Sequence, residues 1–162
     1  MNDQADSNLP SIQRPIRFTR RPLAIAPDFR KDWKIALLLL VLELSSRSGK
    51  SSLKRLHVIH WALRTSNHQH QFQETRNADA PLFTFKVRLE PAFSRAIEFA
   101  EAQKLVEWVE GDRVQITGLG RLLAKQIIKH EVMREETAFL TRIGKSITET
   151  EAMKLITGSR IA

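Results

Sequence analysis

The stretch LVEWVEGDRVQIT, residues 105–117, decides the fold. Leu105-Val106-Glu107-Trp108-Val109 and Val114-Gln115-Ile116 are strand-forming runs either side of the turn Glu110-Gly111-Asp112-Arg113, a spacing that predicts a β-hairpin. Thr117 follows at once as the N-cap of a long helical region, GLGRLLAKQIIKHEVMREETAFLTRI. Gly144 is expected to break that region, and Thr148 or Glu149 to start a short helix ending at Gly158. Upstream, Pro91 opens a helix at its favoured first-turn position, with Phe93, Ala96, Ile97 and Ala100 as the apolar stripe.

Working back from there, LFTFKVRL alternates. Phe83, Phe85, Val87 and Leu89 fall on one face, and Thr84, Lys86 and Arg88 on the other, which predicts a strand with one wet face. Residues 65–81, polar and unpatterned, read as a long exposed loop. A helix over about Ser52–Arg64 carries Leu53, Leu56, Ile59 and Leu63 inward. Before it, a helix from about Asp28 or Asp32 to Ser46 has Trp33, Ala36, Leu37, Leu40, Val41 and Leu44 on one face. Ile35, Leu38, Leu39 and Leu42 fill the opposite side. A helix apolar all round is buried all round. It is therefore a central core helix, or it gives Ile35, Leu38, Leu39 and Leu42 to another subunit; the core is the plainer expectation.

The order helix, helix, strand, helix, hairpin, helix is that of a winged helix. The expected class is α+β and mostly helical: a three-helix core closed by a β-hairpin wing, with an extended C-terminal helical region. The divisions are a basic arm at 1–27, the winged-helix domain at 28–130 and the helical extension at 131–162. In the arm, RPIRFTRRPLAIAP carries Arg14, Arg17, Arg20 and Arg21 between prolines 15, 22 and 27, which forbid a continuous helix.

Gly49-Lys50-Ser51 ends like a phosphate-binding loop. The first glycine of that motif would sit at position 44, which is Leu44, and the preceding run is helical rather than a strand. The triplet is instead a glycine turn, with Ser51 or Ser52 as the next N-cap. Gly118-Leu-Gly120 likewise lacks the third glycine of a dinucleotide loop, since position 123 is leucine. Five histidines, at 57, 60, 68, 70 and 130, have no acidic or sulfur partner spaced to complete a metal site. The chain has no cysteine, so a disulfide framework and a cysteine nucleophile are excluded. No catalytic constellation stands out, and neither enzyme activity nor a cofactor is expected.

The formal net charge of +8 makes a polyanion a natural partner. The excess lies outside the middle: residues 86–113 hold five Lys/Arg against six Asp/Glu. The helix that would read a DNA groove offers Arg95, Glu98, Glu101, Gln103 and Lys104, and the hairpin offers Glu107, Glu110 and Asp112 against Arg113. Those acids oppose phosphates, so sequence-specific readout there is disfavoured. The plainer expectation for the arm is a solvated leader that packs Ile16, Phe18, Leu23 and Ile25 along the domain. If DNA or an acidic partner is touched, the contacts are Arg14, Arg17, Arg20 and Arg21 of the arm and the edge formed by Lys50, Lys54 and Arg55. They would be salt-sensitive and blind to sequence. The start MNDQADSNLP lacks the order of a signal peptide, and the longest apolar run, Ile35–Leu42, is far short of the roughly 18 residues of a membrane span. A cytoplasmic protein is the expectation.

The block VRLEPAFSRAIEFAEAQKLVEWVEGDRVQITGLGRLLAKQI, residues 87–128, resembles the core of small winged-helix middle components of bacterial ABC-three-component systems, including Lamassu-type antiphage systems. The matching elements are Glu90-Pro91, Arg95-Ala96, Phe99-Ala100, Leu105-Val106 and Ile116-Thr117 with Gly120; the apolar run KIALLLLVLEL is similar in character. The resemblance implies a non-catalytic adaptor linking an SMC-like coiled-coil ABC ATPase to an effector nuclease in antiviral or anti-plasmid defence. Double-stranded DNA would be a possible non-specific partner. The alternative from the residues is a DNA-binding winged-helix transcription regulator, dimerising through the long C-terminal helix.

Overall fold

In this computed structural model the described residues are 30–77 and 87–157. The arm with Arg14, Arg17, Arg20 and Arg21, and residues 82–86 of the expected strand, lie outside them. The elements run α1 (Lys31–Leu44), β1 (Lys50–Ser52), α2 (Leu53–Leu63), α3 (Ser66–Asn77), α4 (Pro91–Ala102), β2 (Val106–Val109), β3 (Arg113–Ile116), α5 (Gly118–Lys129), α6 (Arg134–Ile143) and α7 (Glu149–Thr157). The chain is of the α+β class and mostly helical, with one small antiparallel sheet in the order β1-β3-β2.

Helix α1 is the axis of the core. Leu37, Leu38, Leu39, Leu40 and Leu42 are fully buried and Ile35 nearly so. Helices α2, α4, α5 and α6 and strand β3 pack around it. The alternative that Ile35, Leu38, Leu39 and Leu42 face another subunit is therefore overturned, because the chain wraps α1 itself.

The hairpin forms as the spacing predicts, with Val106 opposite Ile116 and Val109 opposite Arg113. Its turn is made by Glu110 and Gly111, both at positive φ. Strand β1 is a correction to the reading of 50–52 as turn and cap alone. Lys50, Ser51 and Ser52 lie opposite Gln115, Val114 and Arg113. Three polar residues carry no alternation of their own, so the partner strand alone makes them a strand. Ser52 still caps α2, its hydroxyl accepting from Arg55 N at 3.2 Å.

Residues 66–77, expected as loop, are helix α3. Thr65 Oγ1 accepts from His68 N at 3.1 Å as a cap. Phe72 is fully buried, edge-on to Phe139 with ring centres 6.3 Å apart. One buried aromatic in a polar helix gives too little periodicity to register in the sequence. Residues 87–90 form no strand; Val87 is buried and its N–H donates to the Leu155 carbonyl at 3.2 Å, but Leu89 is 49% exposed.

Helix α4 buries Phe93, Ala96, Ile97 and Ala100 as expected. The expected single C-terminal helix is broken. At 130–133 the chain turns through Glu131, at φ 52°, and α6 comes back onto α1 with Phe139, Leu140 and Ile143 buried. Gly144 ends α6, and α7 lies along α2. Among the described residues no helix is long and apolar enough to cross a membrane.

Candidate functional site: a cationic cleft

The turn after α1, strand β1, the start of β3 and the α6–α7 connection meet around an open cleft of about 410 Å³. The left-handed turn at Ser48 and Gly49 directs the chain from α1 into β1. Gly49 is required there: its φ is +69°, and a Cβ would lie 2.6 Å from Ile116 Cγ2. This turn sets Arg47 on one wall. Sheet pairing sets Lys50 and Arg113 on another, and the connection supplies Lys145 opposite. Glu149, at the start of α7, is the single carboxylate of the lining.

Arg55 lies beneath, 4% exposed. Its Nε donates to the Ile147 carbonyl at 2.9 Å. Its Nη1 donates to Ser46 Oγ at 3.1 Å and Ser51 Oγ at 3.0 Å, and its Nη2 to the Ser45 carbonyl. Burial draws the guanidinium below its ordinary pKa; Glu149 opposes the fall and Arg47 adds to it. Arg55 is thus a buried strut and not the surface contact expected from the sequence. Ser52 donates to Glu149 through both its N–H, at 3.2 Å, and its hydroxyl, which fixes the carboxylate at one end of the cleft. Thr148 and Glu151 cap α7 reciprocally, at 3.1 and 3.3 Å.

Of the other expected contacts, Lys50 reaches the cleft, but its Nζ pairs with Glu110 Oε1 at 3.1 Å, an exposed pair. Lys54 Nζ donates to Met153 Sδ on α7 at 3.5 Å. The cleft thus joins Lys50 and Arg55, leaves Lys54 aside, and adds Arg47, Arg113 and Lys145. The last three come from two connecting loops and a strand end, and no local pattern in the sequence marks them as neighbours.

The histidines do not gather. His57 is buried, its Nδ1 accepting from Glu90 N at 3.1 Å and its Nε2 facing Ser94 Oγ at 3.2 Å. Burial pushes its pKa down to about 4, with Glu90 opposing. His60 stacks on Phe93 at 4.1 Å, with Nδ1 3.3 Å from Glu90 Oε2. His68 stacks on Trp61 at 4.4 Å. Among the described residues no group of three His, Cys, Asp or Glu is placed to hold a metal ion. Glu90 also accepts from Lys34 Nζ at 2.9 Å, and Lys34 is 3% exposed. This partly buried pair ties the start of α4 to α1.

The solvent face of α4 and the hairpin has the opposite character. Glu98, Glu101, Glu107, Glu110 and Asp112 are exposed, with Phe99 47% and Trp108 38% exposed among them. Trp108 Nε1 donates to Glu101 Oε2 at 3.1 Å, and Lys31 Nζ stands 4.3 Å over the Phe99 ring. No protein family, curated protein or solved structure matches the chain.

Proposed function

We propose that the chain is a non-catalytic winged-helix adaptor, linking an SMC-like ABC ATPase to an effector nuclease in an antiphage or anti-plasmid complex. The order α1, β1, α2, α4, β2, β3 with a sheet ordered β1-β3-β2 supports the winged-helix reading, with α3 inserted and β2–β3 as the wing. The observation that carries the adaptor reading is the face of α4 and the wing. Exposed Phe99 and Trp108 accompany exposed Glu98, Glu101, Glu107, Glu110 and Asp112, against Arg95, Lys104 and Arg113, where a DNA reader would present mainly cations. Aromatic anchors suit a protein partner, and the carboxylates repel phosphate. The resemblance of residues 87–128 to middle-component subunits supplies the kind of partner.

The test is affinity purification of the tagged full chain from its native host at high salt, with mass spectrometry of what is retained. A large coiled-coil ATPase and an effector-like protein are expected, and both should be lost from the Phe99→Glu/Trp108→Glu variant. Recovery of the chain alone, with DNA held only at low salt, would overturn the reading. That outcome would leave the second one, a DNA-binding winged-helix transcription regulator, which the cationic cleft favours. Such a regulator would not dimerise through one long C-terminal helix, because that region is divided into α5 and α6 with α6 packed on α1.

A further inference from the structure

We propose that the cleft between β1, the start of β3 and the α6–α7 connection is a binding site for a phosphate oxyanion. Arg47, Lys50, Arg55, Arg113 and Lys145 surround one volume of about 410 Å³, and Glu149 alone opposes them in its lining. Like charges crowded in this way repel one another unless an anion enters. Arg47, Arg113 and Lys145 are exposed, and among the described residues none of the three is ion-paired.

The cleft is built and not an accident of flexible side chains. Arg55 uses four N–H donors to lock Ser45, Ser46, Ser51 and Ile147, which holds both walls in place. Its buried charge remains beneath the cleft. Lys50 is held by Glu110 only through an exposed ion pair, a weak kind of contact in water, and it is available to exchange that carboxylate for a phosphate. Three side chains that pivot on fixed backbone, over one buried guanidinium, match the three or four oxygens of a phosphate group. Phe99 and Trp108 are not among the residues that line the cleft.

Two sources share this chemistry: a free phosphate compound and the backbone of double-stranded DNA. The test records amide NMR spectra of the full chain during titration with pyrophosphate. Shifts at residues 47–50 and 145–149 are expected. Arg47→Glu/Arg113→Glu should weaken the interaction about tenfold or more, while Lys125→Glu/Lys129→Glu, an equal charge change on exposed α5, should leave it within about twofold. Glu149→Gln, which keeps an acceptor for Ser52, should tighten it and serves as a variant of opposite sign. A 20-bp duplex of scrambled sequence is then added. Competition with pyrophosphate assigns the site to backbone phosphate, and its absence assigns it to free phosphate compounds. The proposal is overturned if the shifts lie elsewhere, if the α5 variant weakens binding as much as the cleft variant, or if Glu149→Gln brings no gain.

Discussion

Arg55 Nε donates to the Ile147 carbonyl at 2.9 Å, joining positions 92 residues apart in the chain. The same guanidinium holds the Ser45 carbonyl and the hydroxyls of Ser46 and Ser51. One side chain therefore fastens the end of α1, strand β1 and the approach to α7. Arg55→Ala would leave two carbonyls and two hydroxyls without it in a buried site, at a cost of about 3 kcal/mol. Urea denaturation should report that loss. Hydrogen exchange should quicken through residues 148–157, because α7 loses its tether. Arg55→Lys should recover only part, since an ammonium cannot reproduce the planar fork. Unchanged exchange in α7 would show that α7 is held by its packing on α2 alone.

The Lys34 ammonium lies in the core, 2.9 Å from the Glu90 carboxylate. Glu90→Ala should destabilise the fold by about 3 kcal/mol, because the buried ammonium loses that carboxylate. Lys34→Met/Glu90→Gln should restore most of the loss, since an apolar chain of similar length needs no counter-charge. Thermal melts of the wild type, the single variant and the double variant separate the two effects. A double variant no more stable than Glu90→Ala would count against the pairing.

His57 gives the stability a pH dependence of known sign. Its Nδ1 accepts from Glu90 N, so the native ring is neutral, and burial lowers its pKa to about 4. In the unfolded chain the ring titrates near its ordinary value of about 6.5. Above that value both states are neutral and the contribution is whole. Between about 6.5 and 4 only the unfolded state takes the proton, and stability falls as pH falls, by up to about 3 kcal/mol. His57→Gln should flatten the melting temperature over that window relative to wild type, and equal slopes would refute the assignment.

Gly120 stands where the first turn of α5 passes the Leu105 carbonyl. A Cβ there would lie 2.1 Å from that oxygen. Thr117 Oγ1 accepts from Gly120 N at 3.1 Å and lies 3.0 Å from the same carbonyl, to which it can donate. This explains the Thr-x-x-Gly spacing: one hydroxyl caps the helix and pins it to the end of α4's loop, and only glycine allows the approach. Gly120→Ala should cost about 3 kcal/mol or more through backbone displacement, against about 1 kcal/mol for Thr117→Ala. Chemical denaturation of the two variants should give that order, and the reverse order would show that the cap outweighs the approach.

Elements whose signals are local were legible from the chain. Proline at 91 and the caps at Ser52 and Thr117 mark helix starts, Glu110-Gly111 marks the hairpin turn, and the spacing of Phe93, Ala96, Ile97 and Ala100 marks a buried face. Helix α3 was hidden because Phe72, fully buried, is the one large apolar residue in a polar stretch, and a moment cannot be read from one residue. The break at 130–133 was hidden because Glu131 adopts a left-handed conformation that its side chain does not advertise. The position of Arg55 was hidden for the same reason: charge is visible in sequence but burial is not, and Arg55 is interior.

By itself, then, the sequence determined a mostly helical α+β chain with a hairpin, an all-apolar helix and a basic excess. These follow from propensity, periodicity and composition, which act within a few residues. Tertiary structure alone decided that α1 is wrapped by its own chain, that Lys50–Ser52 is a strand, and that Arg47, Arg113 and Lys145 converge on one cleft. Those outcomes depend on contacts between residues dozens of positions apart, whose geometry exists only once the core has closed around α1.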